Sequence, residues 1–119
     1  MDQQGSEREV RDGTLTLKAR EGASGCTLAV AGELDLANAG SLSGELAKLE
    51  TSGAPLQIDL SKLEFIDSTG IAIIVGAYQR LGERLRLVPS TAPDVRRVMS
   101  LTGLDAALPF APSPDGEGD

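Results

Sequence analysis

Histidine is absent from the 119 residues of this chain. Without an imidazole, the chain cannot form Ser-His or Cys-His nucleophile pairs, His-x-x-x-His metal sites or histidine general bases. An enzyme would have to use Asp35 and Asp67 as an acid and base pair, and the sequence offers neither a metal-ligand cluster nor a glycine-rich phosphate cradle. We therefore expect no enzymatic activity, no metal and no cofactor.

Aromatic residues are scarce at 3%, and tryptophan is missing, which argues against the reading of nucleic acid bases by stacking. The net charge of −7 repels phosphate backbones and anionic lipids. One stretch departs from this balance, because five arginines outnumber two acids between Tyr78 and Ser100. We interpret it as the solvated outer face of a helix and a strand, and we expect no direct binding of nucleic acid.

Cysteine occurs once, as Cys26 in "GCTLAVAG", so an internal disulfide is excluded and a reducing compartment is favoured. The longest apolar run, "IAIIVGAY", is too short to cross a bilayer. The amino-terminal "MDQQGSEREVRDG" lacks the apolar segment of a secretion signal. These features predict a cytoplasmic protein without membrane insertion.

What the chain has in quantity is aliphatic residues, which dominate a hydrophobic fraction of 40%. The length fits one domain with one aliphatic core. We place that domain at residues 13–110, after a flexible amino terminus at 1–12. The proline, glycine and acid-rich end of the chain, residues 111–119, is predicted to be disordered.

Period-two alternation predicts four strands, with "SKLEFID" as a loop between the third strand and the next helix. The strands are "GTLTLKARE", "CTLAVAGELD", "PLQIDLS" and "ERLRLVP", and a fifth, short strand is placed near "ALPFA". The first two are separated by a Gly-Ala-Ser-Gly turn, which is typical of a hairpin.

Apolar residues at helical spacing predict three helices between and after these strands. The first, "NAGSLSGELAKLE", has Asn38 where an N-cap is needed. The second buries a stripe that ends before Gly82 and comprises Ile71, Ile74, Val75, Tyr78 and Leu81. The third is "TAPDVRRVMSLTG".

The order ββαβαβα predicts an α/β fold with a small mixed sheet of four to five strands. Right-handed crossovers make the second to fourth strands parallel, with the helices mainly on one face. The carboxyl ends of these strands then share one edge, where sites in parallel sheets usually lie. Asp35 and Asp67 each follow such an end, so we expect them to be near neighbours.

The stretch "FIDSTG" stands at the start of the second helix. Ser, Thr and Asp are ordinary capping residues at such a position, because the first backbone N–H groups of a helix lack partners. Gly70 costs a helix about 1 kcal/mol relative to alanine, which suggests that something approaches its backbone closely. Ile73 and Gly76 lie off the main apolar stripe, which suggests a docking surface.

Two segments, "AGELDLANAGSL" and "IDLSKLEFIDSTGIAIIVGAYQRL", resemble the signature regions of STAS-domain anti-sigma factor antagonists. The likeness runs from the first strand to "LTGLD" and implies the STAS fold. By motif position, Ser68 matches the family's phosphorylated serine, Asp67 the aspartate before it and Gly70 the motif glycine. Asp35 matches the aspartate of the family's Gly-x-x-Asp motif.

The resemblance implies a partner-switching role. The unphosphorylated protein would bind an anti-sigma factor that is also a serine kinase, and so free a sigma factor. Phosphorylation of Ser68 would release it, and a serine phosphatase would reset the switch. Thr69 is the alternative acceptor, because related STAS proteins are also phosphorylated on threonine. The implied partner-binding residues are Asp35, Asp67, Ser68, Thr69, Gly70 and Ile73.

A second interpretation stays open beside this one. The chain could be a STAS adaptor subunit of a transport or lipid-trafficking ATPase complex, in which the same helix docks on a partner without regulation by phosphate.

Overall fold

The computed structural model describes residues 6–111, which contain six strands, four helices and one 3₁₀ turn. The strands are β1 (Ser6–Asp12), β2 (Leu15–Gly22), β3 (Gly25–Leu34), β4 (Leu56–Asp59), β5 (Leu63–Ile66) and β6 (Leu85–Val88). The helices are α1 (Ala39–Glu50), α2 (Ser68–Leu81), α3 (Pro93–Leu101) and α4 (Leu104–Ala107), and the 3₁₀ turn is Gly82–Arg84. The prediction of a disordered tail falls, beyond Ala111, outside the described residues.

The strands form one mixed sheet in the order β1-β2-β3-β4-β6, and β5 pairs with β3. β2 runs antiparallel to both β1 and β3, whereas β3 is parallel to β4 and β5, and β4 is parallel to β6. The predicted α/β class, the hairpin and the parallel strands are therefore confirmed. The "ALPFA" segment contributes a single parallel bridge, between Leu87 and Phe110.

Residues 6–12 correct the expectation of a flexible amino terminus. They form β1, which pairs with β2 along its whole length, from Ser6 opposite Glu21 to Asp12 opposite Leu15. Its sequence, "SEREVRD", shows no apolar alternation, so the hydrophobic pattern gave no strand signal. Main-chain pairing and polar contacts hold this edge strand in place. Arg8, for example, reaches Glu21 at 2.8 Å.

Leu63–Ile66 corrects the expectation of a loop at "SKLEFID". This segment forms β5, and its Leu63 and Ile66 are buried while the two residues between them are exposed. Because that pattern does not alternate, it resembles a loop in the sequence. β5 pairs with the last residues of β3, with Ile66 opposite Leu34. This pairing places Asp67 at the carboxyl end of β3.

The core lies between one face of the sheet and the helices, and it is aliphatic as expected. Its largest fully buried side chains are Leu15, Leu17, Leu28, Leu34, Leu42, Leu46, Leu49, Leu56, Ile58, Leu60, Leu63 and Ile74. On each long strand the alternate positions, such as Thr16 and Lys18, are half-buried or exposed. No helix within residues 6–111 is long and apolar enough to cross a membrane.

One buried carboxylate joins β1 to α1. Burial opposes ionisation of Glu45, yet hydrogen bonds from Lys48 and Arg8 outweigh it and hold the pKa of this carboxyl below its ordinary value of 4.5. The side chain of Glu45 is only 5% exposed and lies 3.1 Å from Arg8 and 3.2 Å from Lys48. The charged form of Glu45 is therefore favoured by folding.

Glu45→Gln is expected to lower the free energy of unfolding by about 1–2 kcal/mol at neutral pH, because glutamine keeps one acceptor but loses the charge. A lowered pKa means that this contribution is present above pH 4.5 and is lost as the pH falls further. Urea titrations from neutral to acid pH should show the two proteins converging. Glu7→Gln is the control, because its ion pair with Arg20 is largely exposed and should contribute little. A constant difference at every pH contradicts the assignment.

Candidate functional site

Two loops meet at the carboxyl edge of the sheet. The first joins β3 to α1, and the second joins β5 to α2. Pairing of Leu34 with Ile66 brings them together, and the Asp67 N–H donates to the Leu34 carbonyl at 3.2 Å. The predicted proximity of Asp35 and Asp67 is confirmed in this sense, because the residue after Asp35 bonds to Asp67 directly.

Asp67 holds both loops with a single carboxylate. It is the N-cap of α2, and its Oδ1 accepts hydrogen bonds from the N–H groups of Thr69 at 2.9 Å and Gly70 at 3.1 Å. Its Oδ2 accepts from the N–H of Leu36 in the other loop at 3.1 Å. The cap of α2 and the position of the β3–α1 loop thus depend on the same side chain.

Asp35 and Asn38 shape the β3–α1 loop from within. Asp35 Oδ1 accepts from the Ala37 N–H at 3.0 Å. Asn38 occupies the N-cap position of α1 as predicted. Its buried side chain turns back into the loop, where Oδ1 accepts from the Asp35 N–H and Nδ2 donates to the Glu33 carbonyl. The amide therefore closes the loop and makes no side-chain cap at α1.

Ser68 is the first residue of α2 and is exposed, whereas Thr69 is half-buried. Neither the hydroxyl nor the N–H of Ser68 has a hydrogen-bond partner within the part of the chain that the structure describes. Because Asp67 already caps the helix, the hydroxyl of Ser68 is free for chemistry. Of the two candidate acceptors, Ser68 is the more accessible.

Gly70 faces the core. A Cβ at this position would lie 2.7 Å from Cγ and Cδ2 of Leu34 and 2.9 Å from Cγ1 of Ile66. The close approach that the sequence suggested is therefore real, but it is made by the domain's own side chains. Gly70 is buried, so the expected contact with a partner is replaced by packing of α2 on β3 and β5.

The buried stripe of α2 differs in part from the predicted one. The buried stripe consists of Gly70, Ile74, Ala77 and Leu81. Ile73 is half-buried and packs against the core. Ala72 is exposed and lies one helical turn after Ser68, on the same side of the helix. Ala72 is therefore part of the exposed surface on the Ser68 side of α2.

Leu36 is a residue of this site that the sequence reasoning missed. Its side chain is 75% exposed, although it is a large apolar residue in a loop fixed by three carboxylate and amide side chains. The apolar pattern gave no signal of this, because Leu36 continues the alternation of Leu28, Val30 and Leu34 and so resembles one more buried position of the strand. Leu36 is thus an exposed apolar residue whose backbone is held in place by the polar side chains of the site.

Two arginines of the arginine-rich stretch, Arg80 and Arg84, make their hydrogen bonds with residues outside this site. Arg80 forms two hydrogen bonds with Glu50, at 2.8 and 2.7 Å, and this contact raises the pKa of the guanidinium. Arg84 donates to the carbonyls of Glu50 and Ala54. These contacts tie the end of α2 to the end of α1, which agrees with a structural interpretation of the two arginines.

The fold and the paired loops define a STAS domain. A family model described as "Mlab, STAS domain" matches residues 16–109. The chain belongs to the STAS domain family, and the resemblance carried by the two sequence segments is confirmed.

Two similar proteins of known name are both anti-sigma factor antagonists. The anti-sigma-B factor antagonist of Bacillus subtilis is 30% identical over 90 residues, which cover 73% of this chain and 82% of that protein. The anti-sigma-F factor antagonist RsfB of Mycobacterium tuberculosis is 30% identical over 94 residues, or 77% of this chain and 75% of that protein.

Solved structures agree with the fold. A crystal structure of an anti-sigma factor antagonist from Mycobacterium paratuberculosis superposes with a TM-score of 0.75 at 30% identity, covering 89% of this chain and 93% of that one. The anti-sigma factor antagonist SpoIIAA in its unphosphorylated form gives a TM-score of 0.62 at 16% identity, with coverages of 95% and 92%. This second likeness concerns the fold alone.

Proposed function

We propose that this protein is a non-enzymatic anti-sigma factor antagonist that switches partners through phosphorylation of Ser68. The unphosphorylated form binds an anti-sigma factor and thereby frees a sigma factor. The anti-sigma factor acts as the serine kinase, and a serine phosphatase restores the binding form. Since sigma factors direct transcription in the cytoplasm, the role places the protein there.

The observation that carries the proposal is the exposed Ser68 hydroxyl beside the Asp67 carboxylate, in a STAS domain whose named relatives are anti-sigma factor antagonists. The hydroxyl makes no hydrogen bond within residues 6–111, so it is open to a kinase. In the phosphorylation step, the Ser68 Oγ bonds to the γ-phosphorus of ATP as the bond to the ADP oxygen breaks, and the hydroxyl proton is released.

The phosphate changes binding more than folding. It carries a charge of about −1.5 to −2 at neutral pH. In the free protein, water solvates this charge next to the Asp67 carboxylate. In a docked complex the same charge would be desolvated beside Asp67 and Asp35, which costs free energy. We therefore expect phosphorylation to break the complex while the domain stays folded.

Affinity purification from the native cell tests this function. Ser68→Ala and Ser68→Asp proteins serve as matched baits, and mass spectrometry identifies the captured proteins and the phosphorylated peptides of the wild type. We expect the Ser68→Ala bait alone to capture an anti-sigma factor. Equal capture of transport ATPase subunits by both baits would overturn the proposal and support the adaptor interpretation. Phosphate on Thr69 alone would move the switch by one residue.

The position of Ala72 gives a second test. Ala72→Asp is expected to weaken binding of the anti-sigma factor by about tenfold or more while leaving the thermal midpoint almost unchanged, because this exposed side chain adds nothing to the core. Ile73→Asp should instead lower the free energy of unfolding by about 1–3 kcal/mol, because it places a charge in a half-buried position. Calorimetry and binding titration separate the two. If Ala72→Asp binds like the wild type, the docking face lies elsewhere.

A further inference from the structure

The two arms of the Asp67 carboxylate connect the candidate phosphorylation site to the exposed Leu36. Oδ1 accepts hydrogen bonds from the N–H groups of Thr69 and Gly70, and Oδ2 accepts one from the N–H of Leu36. A change at the start of α2 that moves this carboxylate must therefore also release the backbone of Leu36.

Leu36 is presented in a defined position and not in a loose loop. Its own N–H is held by Asp67, and the next N–H, of Ala37, is held by Asp35. The two following N–H groups, of Asn38 and Ala39, both donate to the Asp35 carbonyl. An apolar side chain that is 75% exposed on so constrained a backbone has little conformational entropy to lose on binding.

The charges near Leu36 in the two loops indicate the chemistry of a partner surface that would cover it. Residues 33–37 and 64–69 form the two loops and their strand ends, and they contain four carboxylates but neither lysine nor arginine. The acids are Glu33, Asp35, Glu64 and Asp67. A complementary surface has an apolar hollow for one leucine, flanked by cationic groups.

We propose that Leu36 is the apolar anchor that enters such a hollow on the anti-sigma factor, and that Asp67 is the positioning residue that holds it ready. In this proposal, which rests on the function proposed above, the phosphate on Ser68 releases the partner by displacing Asp67 and so freeing the Leu36 loop. The switch is then a local change of geometry in addition to a change of charge.

The helix start supplies the reason for the displacement. The N–H of Ser68 has no partner among the described residues, and the N–H groups of Thr69 and Gly70 are bonded only by Asp67. A phosphate on Ser68 brings strong acceptor oxygens to these donors and to the positive end of the helix dipole. It also repels the Asp67 carboxylate, so it competes with Asp67 for the cap and drives it away.

Asp67→Asn separates the two arms. The asparagine Oδ1 can still cap Thr69 and Gly70, but its amide nitrogen is a donor and cannot accept the Leu36 N–H. We expect Asp67→Asn and Leu36→Ala each to weaken binding of the purified anti-sigma factor by about tenfold. The double variant should be no more than about twofold weaker than Leu36→Ala, because both act through one contact. Leu101→Ala is the control, since Leu101 is 78% exposed on α3 and should not matter.

Amide hydrogen exchange in the free protein tests, without any partner, whether the Asp67 carboxylate holds the Leu36 N–H. The Leu36 N–H should exchange at least about tenfold faster in both Asp67→Asn and the phosphorylated wild type, because its hydrogen bond to Asp67 is lost. The Ala37 N–H, held by Asp35, is the internal control and should keep its protection. A Leu36 N–H that stays protected after phosphorylation overturns the release mechanism, even if binding is lost.

The outcomes also distinguish this proposal from the function on which it rests. Wild-type protein that fails to bind any anti-sigma factor contradicts the proposed function, whereas the exchange result still decides whether Asp67 clamps Leu36. Full binding by Leu36→Ala, together with loss of binding by Ser68→Asp, refutes the anchor and leaves the phosphorylation switch intact.

Discussion

Replacing Ser68 with aspartate is expected to reduce binding of the anti-sigma factor by more than about tenfold, while Ser68→Ala binds constantly, with or without ATP. The carboxylate places a negative charge beside Asp67 in the docked complex, although it mimics only part of a phosphate. The alanine variant should lose well under about 1 kcal/mol of stability, because Asp67, and not Ser68, caps α2. Isothermal titration with the purified anti-sigma factor and thermal melting of both variants measure these effects.

Thr69→Val is the matched control for this pair. Thr69 is half-buried next to the acceptor, and valine preserves its shape without the hydroxyl. Phosphate incorporation and its effect on binding should therefore persist in Thr69→Val and disappear in Ser68→Ala. The reverse pattern makes Thr69 the acceptor. Equal binding by Ser68→Ala and Ser68→Asp contradicts the charge mechanism and favours an adaptor that is not regulated by phosphate.

Gly70→Ala is expected to lower the free energy of unfolding by about 1–3 kcal/mol. Alanine ordinarily stabilises a helix relative to glycine by about 1 kcal/mol, so the sign itself is informative. The reversal arises because the new methyl group would lie 2.7 Å from Leu34 and 2.9 Å from Ile66, both of which are buried. α2 must then shift away from β3 and β5, and the loops of the site separate.

Gly44→Ala supplies the contrast. Gly44 lies within α1 and is exposed, and among the described residues no atom outside the backbone of its own helix lies within 4 Å of where a Cβ would be. We expect this variant to be more stable by up to about 1 kcal/mol. Urea denaturation of the two variants under one condition gives both values. A neutral or stabilising Gly70→Ala would show that α2 is not packed against Leu34 as described.

The sequence was a good guide to the parts of the fold that depend on apolar alternation. β2, β3, β4 and β6 carry it, and so do the core positions of α1. β1 and β5 do not: the first is a polar edge strand held by pairing and by Arg8, and the second has its two buried residues, Leu63 and Ile66, three positions apart. Both are defined by their tertiary neighbours, which local patterns cannot supply.

The sequence predicted which residues form the site better than it predicted how they contact one another. The motif placed Asp35, Asp67 and Ser68 at one sheet edge, and the structure brings the two loops together there. The sequence could not show that the Asp67 carboxylate spans both loops, because Leu36 lies 31 residues away along the chain. The unfavourable helix propensity of Gly70 correctly indicated a close approach to its backbone. The groups that approach it are the core side chains of Leu34 and Ile66.

The most direct measurement is an equilibrium titration of the anti-sigma factor with two forms of the wild-type protein, one unphosphorylated and one fully phosphorylated by its kinase. Peptide mass spectrometry first establishes that the phosphate is on Ser68. We predict tight binding by the unphosphorylated form and loss of binding by the phosphorylated form, with both forms melting cooperatively as folded domains. Equal affinities of the two forms, with phosphate verified on Ser68, would contradict the account.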